Sequence, residues 1–170
     1  MARACATYVA SAPESAPLKR ALQRYKYVPD VSLAPALGRL LLAHCPLTPV
    51  SYDVLVPVPL HIRRLRWRGF NQAQLLARHV ARQHRLPLDP FSLERARATD
   101  PQVELDDDAR RRNVAGAFVV PDPARVRGRR VLLVDDVYTT GATANECSRT
   151  LLRAGARHVD VLVLARAILR

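Results

Sequence analysis

The chain has 170 residues, 49% of them hydrophobic and 25% charged, which fits one globular domain and excludes a disordered chain or two full-sized domains. Lysine and arginine outnumber aspartate and glutamate 27 to 15, a formal charge of +12. The excess lies in residues 1–85, where 13 cations meet 3 acids, while residues 86–170 carry 14 against 12. A half so basic suits phosphates or nucleic acid, although solubilising charge from an arginine-rich composition accounts for the same counts.

Apolar runs such as Val54–Leu60 fall far short of the ~20 residues a bilayer span requires, so no membrane span is expected. Arg3 ahead of Ala4–Ala10 has the outline of a signal peptide, but Thr7, Tyr8 and the lack of leucine argue against one. The three cysteines, at 5, 45 and 147, form no CxxC pair. They read as reduced thiols in a cytoplasm, and no zinc is expected. His79 and His84 are five residues apart, a poor spacing for one helical face.

In chain order, Pro13 and Pro17 bracket a loose lead-in over residues 1–16. Leu18, Ala21, Leu22 and Tyr25 then recur at helical spacing, until Pro29-Asp30 breaks the pattern. Ser32 is placed to cap a second helix that carries Leu33, Leu37, Leu40 and Leu41 to about Ala43. Asp53–Val58 reads as a buried strand, and Gly69 precedes a helix near Asn71–Gln83 with Leu75, Leu76 and Val80 on its apolar side. Residues 96–113 read as a flexible polar loop with room for one helical turn. Ala117–Val120 is a short strand, Val131–Val134 a buried strand, Ala142–Ala154 a helix and Val159–Ala165 a further buried strand. Continuous Val/Leu strands alternating with helices indicate an α/β fold with a mostly parallel sheet flanked by helices.

The chemistry concentrates in Val131–Thr143, where a buried strand runs into Asp135-Asp136 and then a Thr139-Thr140-Gly141-Ala142-Thr143 turn opens a helix. Ligands of open α/β sheets bind at the carboxyl ends of strands. Backbone N–H groups of such a turn and the positive end of the helix favour a phosphate, and Gly141 permits close approach. Carboxylates repel phosphate but accept hydrogen bonds from sugar hydroxyls and hold Mg²⁺ through water. A sugar with vicinal hydroxyls near a phosphate satisfies both halves. Neither a Walker loop nor a GxGxxG turn is present.

This stretch resembles the phosphoribosyl pyrophosphate (PRPP) motif of type I phosphoribosyltransferases. Tyr25-Lys26-Tyr27, Val56–Leu60, Arg68–Gln72, Gln102 with Leu105, and Arg112–Phe118 extend the resemblance to the ComF family, over nearly everything from Pro17 to Ala167. That resemblance implies a type I phosphoribosyltransferase fold with a short hood, a tie to DNA uptake in natural transformation, and PRPP or a related ribose 5-phosphate ligand with Mg²⁺. Asp135 and Asp136 would then hold the ribose and, indirectly or through the ligand, the metal. Thr139, Thr140, Gly141, Ala142 and Thr143 would bind the 5′-phosphate, and Val58, Pro59 and Leu60 the pyrophosphate. Arg97, Gln102, Arg112 and Asn113 would belong to the flexible loop that closes over the reaction centre. Many members also carry an N-terminal four-cysteine zinc module, whose pattern is not found in these 170 residues. Thr139 stands where relatives acting on 6-oxopurines have an acid, so transfer to hypoxanthine or guanine is not expected.

The cluster Arg63, Arg64, Arg66, Trp67 and Arg68 fits pyrophosphate through guanidinium–phosphate forks. It equally fits a single-stranded nucleic-acid platform, with bases stacked on the indole. Three readings therefore stand side by side: a phosphoribosyltransferase of unknown acceptor, a competence factor contacting single-stranded DNA, a DNA-uptake helicase or other competence proteins, and a PRPP or nucleotide sensor. The fold does not choose among them.

Overall fold

The computed structural model describes residues 4–9, 16–28, 30–43, 52–98 and 107–166. Their elements run β1 (Ala4–Val9), α1 (Ala16–Tyr27), α2 (Ala34–Ala43), β2 (Val54–Pro57), α3 (Ile62–Arg68), α4 (Gln72–His84), β3 (Glu94–Arg95), α5 (Asp107–Val114), β4 (Phe118–Val119), β5 (Arg130–Tyr138), α6 (Ala142–Arg153) and β6 (His158–Arg166). Short 3-10 turns occupy Val31–Leu33 and Pro123–Arg125. Four strands form one sheet in the order β1-β6-β5-β2, every neighbouring pair parallel, and β3 pairs with β4 antiparallel. This is the α/β architecture expected.

The two-residue period of a strand sends alternate side chains to opposite faces, and both faces are apolar. Val54, Val56, Val131, Leu133, Val159 and Val161 pack on one side with Cys147 and Leu151 of α6 and Phe118 of β4. Leu55, Leu132, Val134, Leu162 and Leu164 pack on the other with Leu22 and Tyr25 of α1, Leu37 and Leu41 of α2, and Leu76 and Val80 of α4. At ~1.5–3 kcal/mol for each fully buried Val or Leu, these layers dominate the stability of the fold. The α2–α4 contact is close because Gly38 has no side chain: a Cβ there would stand 2.5 Å from His79 Cγ. The outer edge of β2 is covered by the segment after α4. Leu55 N–H donates to Pro87 O at 2.8 Å, and Asp89 N–H donates back to Leu55 O at 2.9 Å.

Several elements differ from the sequence reading. Residues 4–9, read as part of a loose lead-in, form β1 and pair with Ala4↔Val161 through Val9↔Arg166. The turn before α2 is capped by Asp30 rather than Ser32, the Ser32 N–H donating to the Asp30 carboxylate at 3.2 Å. The basic cluster is helical, α3, with His61 as N-cap and left-handed Gly69 (φ 79°) as C-cap. Within the polar loop, α5 makes two turns rather than one. Finally, β5 does not stop at Val134 but runs through both acids to Tyr138, paired with β6 as far as Arg166.

Candidate functional site

The extra length of β5 creates the site. β2 ends at Pro57, opposite Val134, so beyond that point β5 has a strand neighbour only in β6. Its other side opens onto a cavity of about 470 Å³ at the carboxyl ends of β2 and β5. Asp135, Asp136 and Val137 line it from β5, Thr139 and Thr143 from the turn into α6, and Val58, Pro59 and Leu60 from the loop after β2. Lys26 and Tyr27 enter from the end of α1, Arg64, Trp67 and Arg68 from α3, Gln72 from α4, and Arg95 from β3. The acid pair, two threonines of the turn and all three residues of the Val58–Leu60 loop thus meet as expected.

The acid pair is built asymmetrically. The Asp136 side chain is 4% exposed, and its Oδ2 lies 3.0 Å from the Lys26 ammonium. The Asp136 backbone N–H donates to Asp135 Oδ1 at 2.8 Å. Burial, and then the Asp136 charge beside it, push the Asp135 carboxyl well above the usual carboxylate range. Burial alone would lower the Lys26 pKa, but the Asp136 carboxylate, joined by Asp135 and Tyr27, outweighs it and leaves the ammonium above its ordinary value. One acid is therefore held as an ion pair, while the other is biased toward the neutral form that can donate as well as accept.

The walls are tied in place. Asn71 caps α4, accepting from the N–H groups of Ala73 and Gln74, and its amide donates to Val58 O at 3.0 Å. The Val58 N–H reaches Val134 O at 2.9 Å, so the Val58–Leu60 loop is anchored to both α4 and β5. No cis peptide bond occurs among the described residues, and the Val58–Pro59 bond is trans. Arg68 is buried and donates to Gln72 Oε1 at 2.6 Å, with its guanidinium 5.9 Å from the Tyr27 ring centroid. In the turn, Gly141 is left-handed (φ 78°), and the Thr140 hydroxyl accepts from the Ala142 N–H at 3.3 Å. A Cβ at Gly141 would collide with the Tyr138 hydroxyl. Behind the acids, burial pushes the Cys147 thiol up, which keeps it protonated and inert.

Of the four flexible-loop residues, Arg97 and Asn113 come together. The Arg97 guanidinium donates to Asn113 O at 2.9 Å and Ala115 O at 2.8 Å, satisfying carbonyls at the end of α5. Glu146 of α6 accepts from the Gly116 N–H at 2.9 Å and fixes the same corner. Arg112 is exposed on α5, and Gln102 lies outside the described residues. The basic cluster is divided by its helical phase: Arg68 faces the acid cavity, while Arg63 and Arg66 are exposed. Lys26 and Gln72 stand in the sequence only within the motifs Tyr25-Lys26-Tyr27 and Arg68–Gln72, with no site role attached to them, and Arg95 carried no signal. They are brought in from distant elements.

The family model of the phosphoribosyl transferase domain matches residues 69–168. The chain belongs to this family. Within it, the chain stands with the ComF proteins. It is 39% identical over 157 residues to the DNA utilization protein YhgH of Escherichia coli (strain K12), covering 89% of this chain and 68% of that protein. It is 36% identical over 158 residues to Competence protein F of Haemophilus influenzae, with 89% and 69% covered. The fold is also that of the glutamine PRPP amidotransferase from B. subtilis solved with ADP and GMP. That likeness has a TM-score of 0.52 at 23% identity, covering 76% of this chain and 25% of the other. The type I fold expected from the sequence is thereby shown.

Proposed function

We propose that the cavity binds PRPP, or a related ribose 5-phosphate ligand, together with Mg²⁺. The observation that carries this reading is the composition of the cavity wall: the Asp135–Asp136 pair and the threonines of the turn into α6 share one space with four cations, Lys26, Arg64, Arg68 and Arg95, against two acids. A neutral sugar needs no such excess, whereas a polyanion does. Asp135 and Asp136 would take the ribose hydroxyls, the Thr139–Thr143 turn the 5′-phosphate, and the Val58–Leu60 loop the pyrophosphate.

No cluster of three or more candidate metal ligands occurs among the described residues, and Asp136 already faces Lys26. Mg²⁺ would therefore enter with the ligand's own phosphates, which is how this ion commonly enters phosphate sites, with Asp135 and Asp136 reaching it through water or through the ligand. Its contribution would be to offset charge on the leaving pyrophosphate. With turnover, an acceptor nucleophile forms a bond to C1 of the ribose as the C1–oxygen bond breaks and pyrophosphate leaves with the electron pair. Binding without turnover, as in a sensor, would release no pyrophosphate. The free Cys147 thiol and this ligand together suit a cytoplasmic setting, and no described helix is long and apolar enough to cross a membrane.

Thermal melting tests the reading. A ligand at 100 times its Kd adds about 2.7 kcal/mol, which for a domain of this size is about 5–10 °C in Tm. Millimolar Mg²⁺–PRPP should produce such a rise in the wild type and little in a variant combining Asp135→Asn with Asp136→Asn. An unchanged wild-type Tm contradicts the proposal.

A second reading rests on α3, whose Trp67 is 64% exposed beside Arg63 and Arg66. An exposed indole among arginines suits single-stranded DNA, with a DNA-uptake helicase or other competence proteins as neighbours on the strand. With Arg68 turned inward, Arg63, Arg64 and Arg66 remain to neutralise phosphates. Each contributes a slope of about −0.7 in log affinity against log salt, about −2.1 together. A flat salt response of oligo(dT) anisotropy, unchanged by Trp67→Ala, would dismiss it.

A further inference from the structure

The pole of the sheet opposite the acid cavity, where β5 and β6 begin, gathers arginines that the sequence keeps apart. The segment entering β5, residues 125–130, holds four arginines, the corner between α6 and β6, residues 153–158, holds two more, and neither holds an acid. The two segments are stitched together. Gly128 N–H donates to Gly155 O at 2.8 Å, Arg157 N–H donates to Arg129 O at 2.8 Å, and Arg130 stands opposite His158 in the β5–β6 register. Gly155 has a φ of 99°, and a Cβ there would stand 3.4 Å from Arg127 Cγ. Arg125 is held by Asp89 at 2.9 Å and Asp122 at 3.7 Å. Arg127, Arg129, Arg130, Arg153 and Arg157 are all exposed, and none forms an ion pair among the described residues. The acids at the rim are engaged elsewhere. The Asp53 carboxylate accepts from the Arg130 backbone N–H at 2.7 Å, while Asp160 accepts from the Tyr52 hydroxyl at 2.8 Å and faces His158 at 3.0 Å.

We infer that this pole is a docking surface for the sugar–phosphate backbone of duplex DNA, contacted without reading the bases. Five like charges on two hydrogen-bonded segments repel one another, and a row of phosphates relieves that repulsion while releasing its own counterions. Guanidinium forks match phosphate oxygens in geometry as well as charge. Neither segment carries an exposed aromatic side chain, so the stacking face that a single strand uses is missing from this surface. Leu152 is the one exposed large apolar side chain adjoining them among the described residues, too little for the apolar face that a lipid surface buries. The overall charge count hides the patch, because residues 86–170 carry 14 cations against 12 acids that lie elsewhere. A strand rises ~3.3 Å per residue, so Asp135 lies roughly 16 Å along β5 from Arg130. The surface is therefore separate from the acid cavity, and it shares no residue with α3.

Fluorescence anisotropy of a short labelled DNA duplex, titrated with the full chain at several salt concentrations, tests the inference. Each arginine that neutralises a duplex phosphate contributes a slope of about −0.9 in log affinity against log salt, about −4.5 for five. Combining Arg127→Gln, Arg129→Gln and Arg157→Gln should flatten the slope by about 2.7 and weaken binding at low salt by at least about tenfold. A second triple, Arg20→Gln, Arg39→Gln and Arg82→Gln, removes equally exposed charge from α1, α2 and α4 and should change the slope by less than about one unit. All six positions are exposed, so both triples keep the fold, and thermal melting checks this. A duplex of unrelated sequence should bind equally well. A slope untouched by the first triple, or flattened equally by both, would overturn the inference. So would a duplex slope that responds instead to Arg63→Gln with Arg66→Gln, which would move the DNA to α3. Phosphatidylserine vesicles held by the same arginines in preference to duplex would overturn it as well. Neither PRPP nor Mg²⁺ is present, so failure here leaves the reading of the acid cavity standing.

Discussion

Replacing Lys26 with methionine probes the charge design of the acid pair most sharply. Methionine keeps much of the apolar stem while deleting the ammonium 3.0 Å from Asp136. Removing one partner of a buried ion pair costs ~3–5 kcal/mol, because the other charge is left without compensation. Asp136 is 4% exposed and Lys26 25%, so the lower end applies, about 3 kcal/mol. At about 2–4 °C per kcal/mol for a domain of this size, Tm should fall by about 6–12 °C. Burial lifts the Asp135 pKa in the folded state, so its contribution to stability is full below the ordinary carboxylate range and is lost as pH rises through the folded value. Lys26 limits that loss, so the deficit of Lys26→Met should be larger at about pH 8 than at about pH 5. Adding Asp136→Asn should recover most of the Tm, since no buried charge then lacks a partner. Scanning fluorimetry of both singles and the double at the two pH values closes the cycle. A Lys26→Met variant melting within about 2 °C of wild type, or a double variant no better than the single, would refute the reasoning.

Three further outcomes follow from the same geometry. Asp135→Asn removes a carboxylate that burial disfavours while keeping the oxygen that accepts from the Asp136 N–H, so Tm without ligand should rise, more at about pH 8 than at about pH 5, while the Mg²⁺–PRPP shift is lost. Gly141→Ala places a side chain at φ 78° against Tyr138, and urea melts should show a loss of more than about 1 kcal/mol together with loss of the ligand shift. Asn71→Ala deletes a helix cap worth ~1 kcal/mol and frees the Val58 carbonyl, so it should weaken competition by free pyrophosphate as well as lower stability.

Much of the fold is written locally. The strands β2, β5 and β6 are continuous Val/Leu runs because both faces of a parallel sheet are covered, and α4 and α6 carry clear apolar faces. Helix α3 was illegible because it is short and presents arginine almost all round, and α5 because it is polar and held by Arg97 and Glu146 from elsewhere. The two-residue strands β3 and β4 exist through their pairing with each other rather than through their composition. For the site, the acid pair and both flanking loops were readable, since each is a contiguous stretch with its own turn chemistry. Lys26 and Arg95 were not, because only tertiary packing brings α1 and β3 to the end of β5. Treating Arg63–Arg68 as one surface failed for a related reason: the helical phase that separates Arg68 from Arg63 appears only once the segment is known to be a helix.

A crystal structure of the chain with Mg²⁺ and PRPP tests the central claim most directly. The account predicts ribose hydroxyls within hydrogen-bonding distance of the Asp135 and Asp136 carboxyls, the 5′-phosphate in the turn Thr139–Thr143, and pyrophosphate against Val58–Leu60. Density for PRPP elsewhere, or none at millimolar ligand with the Lys26–Asp136 pair undisturbed, would contradict it.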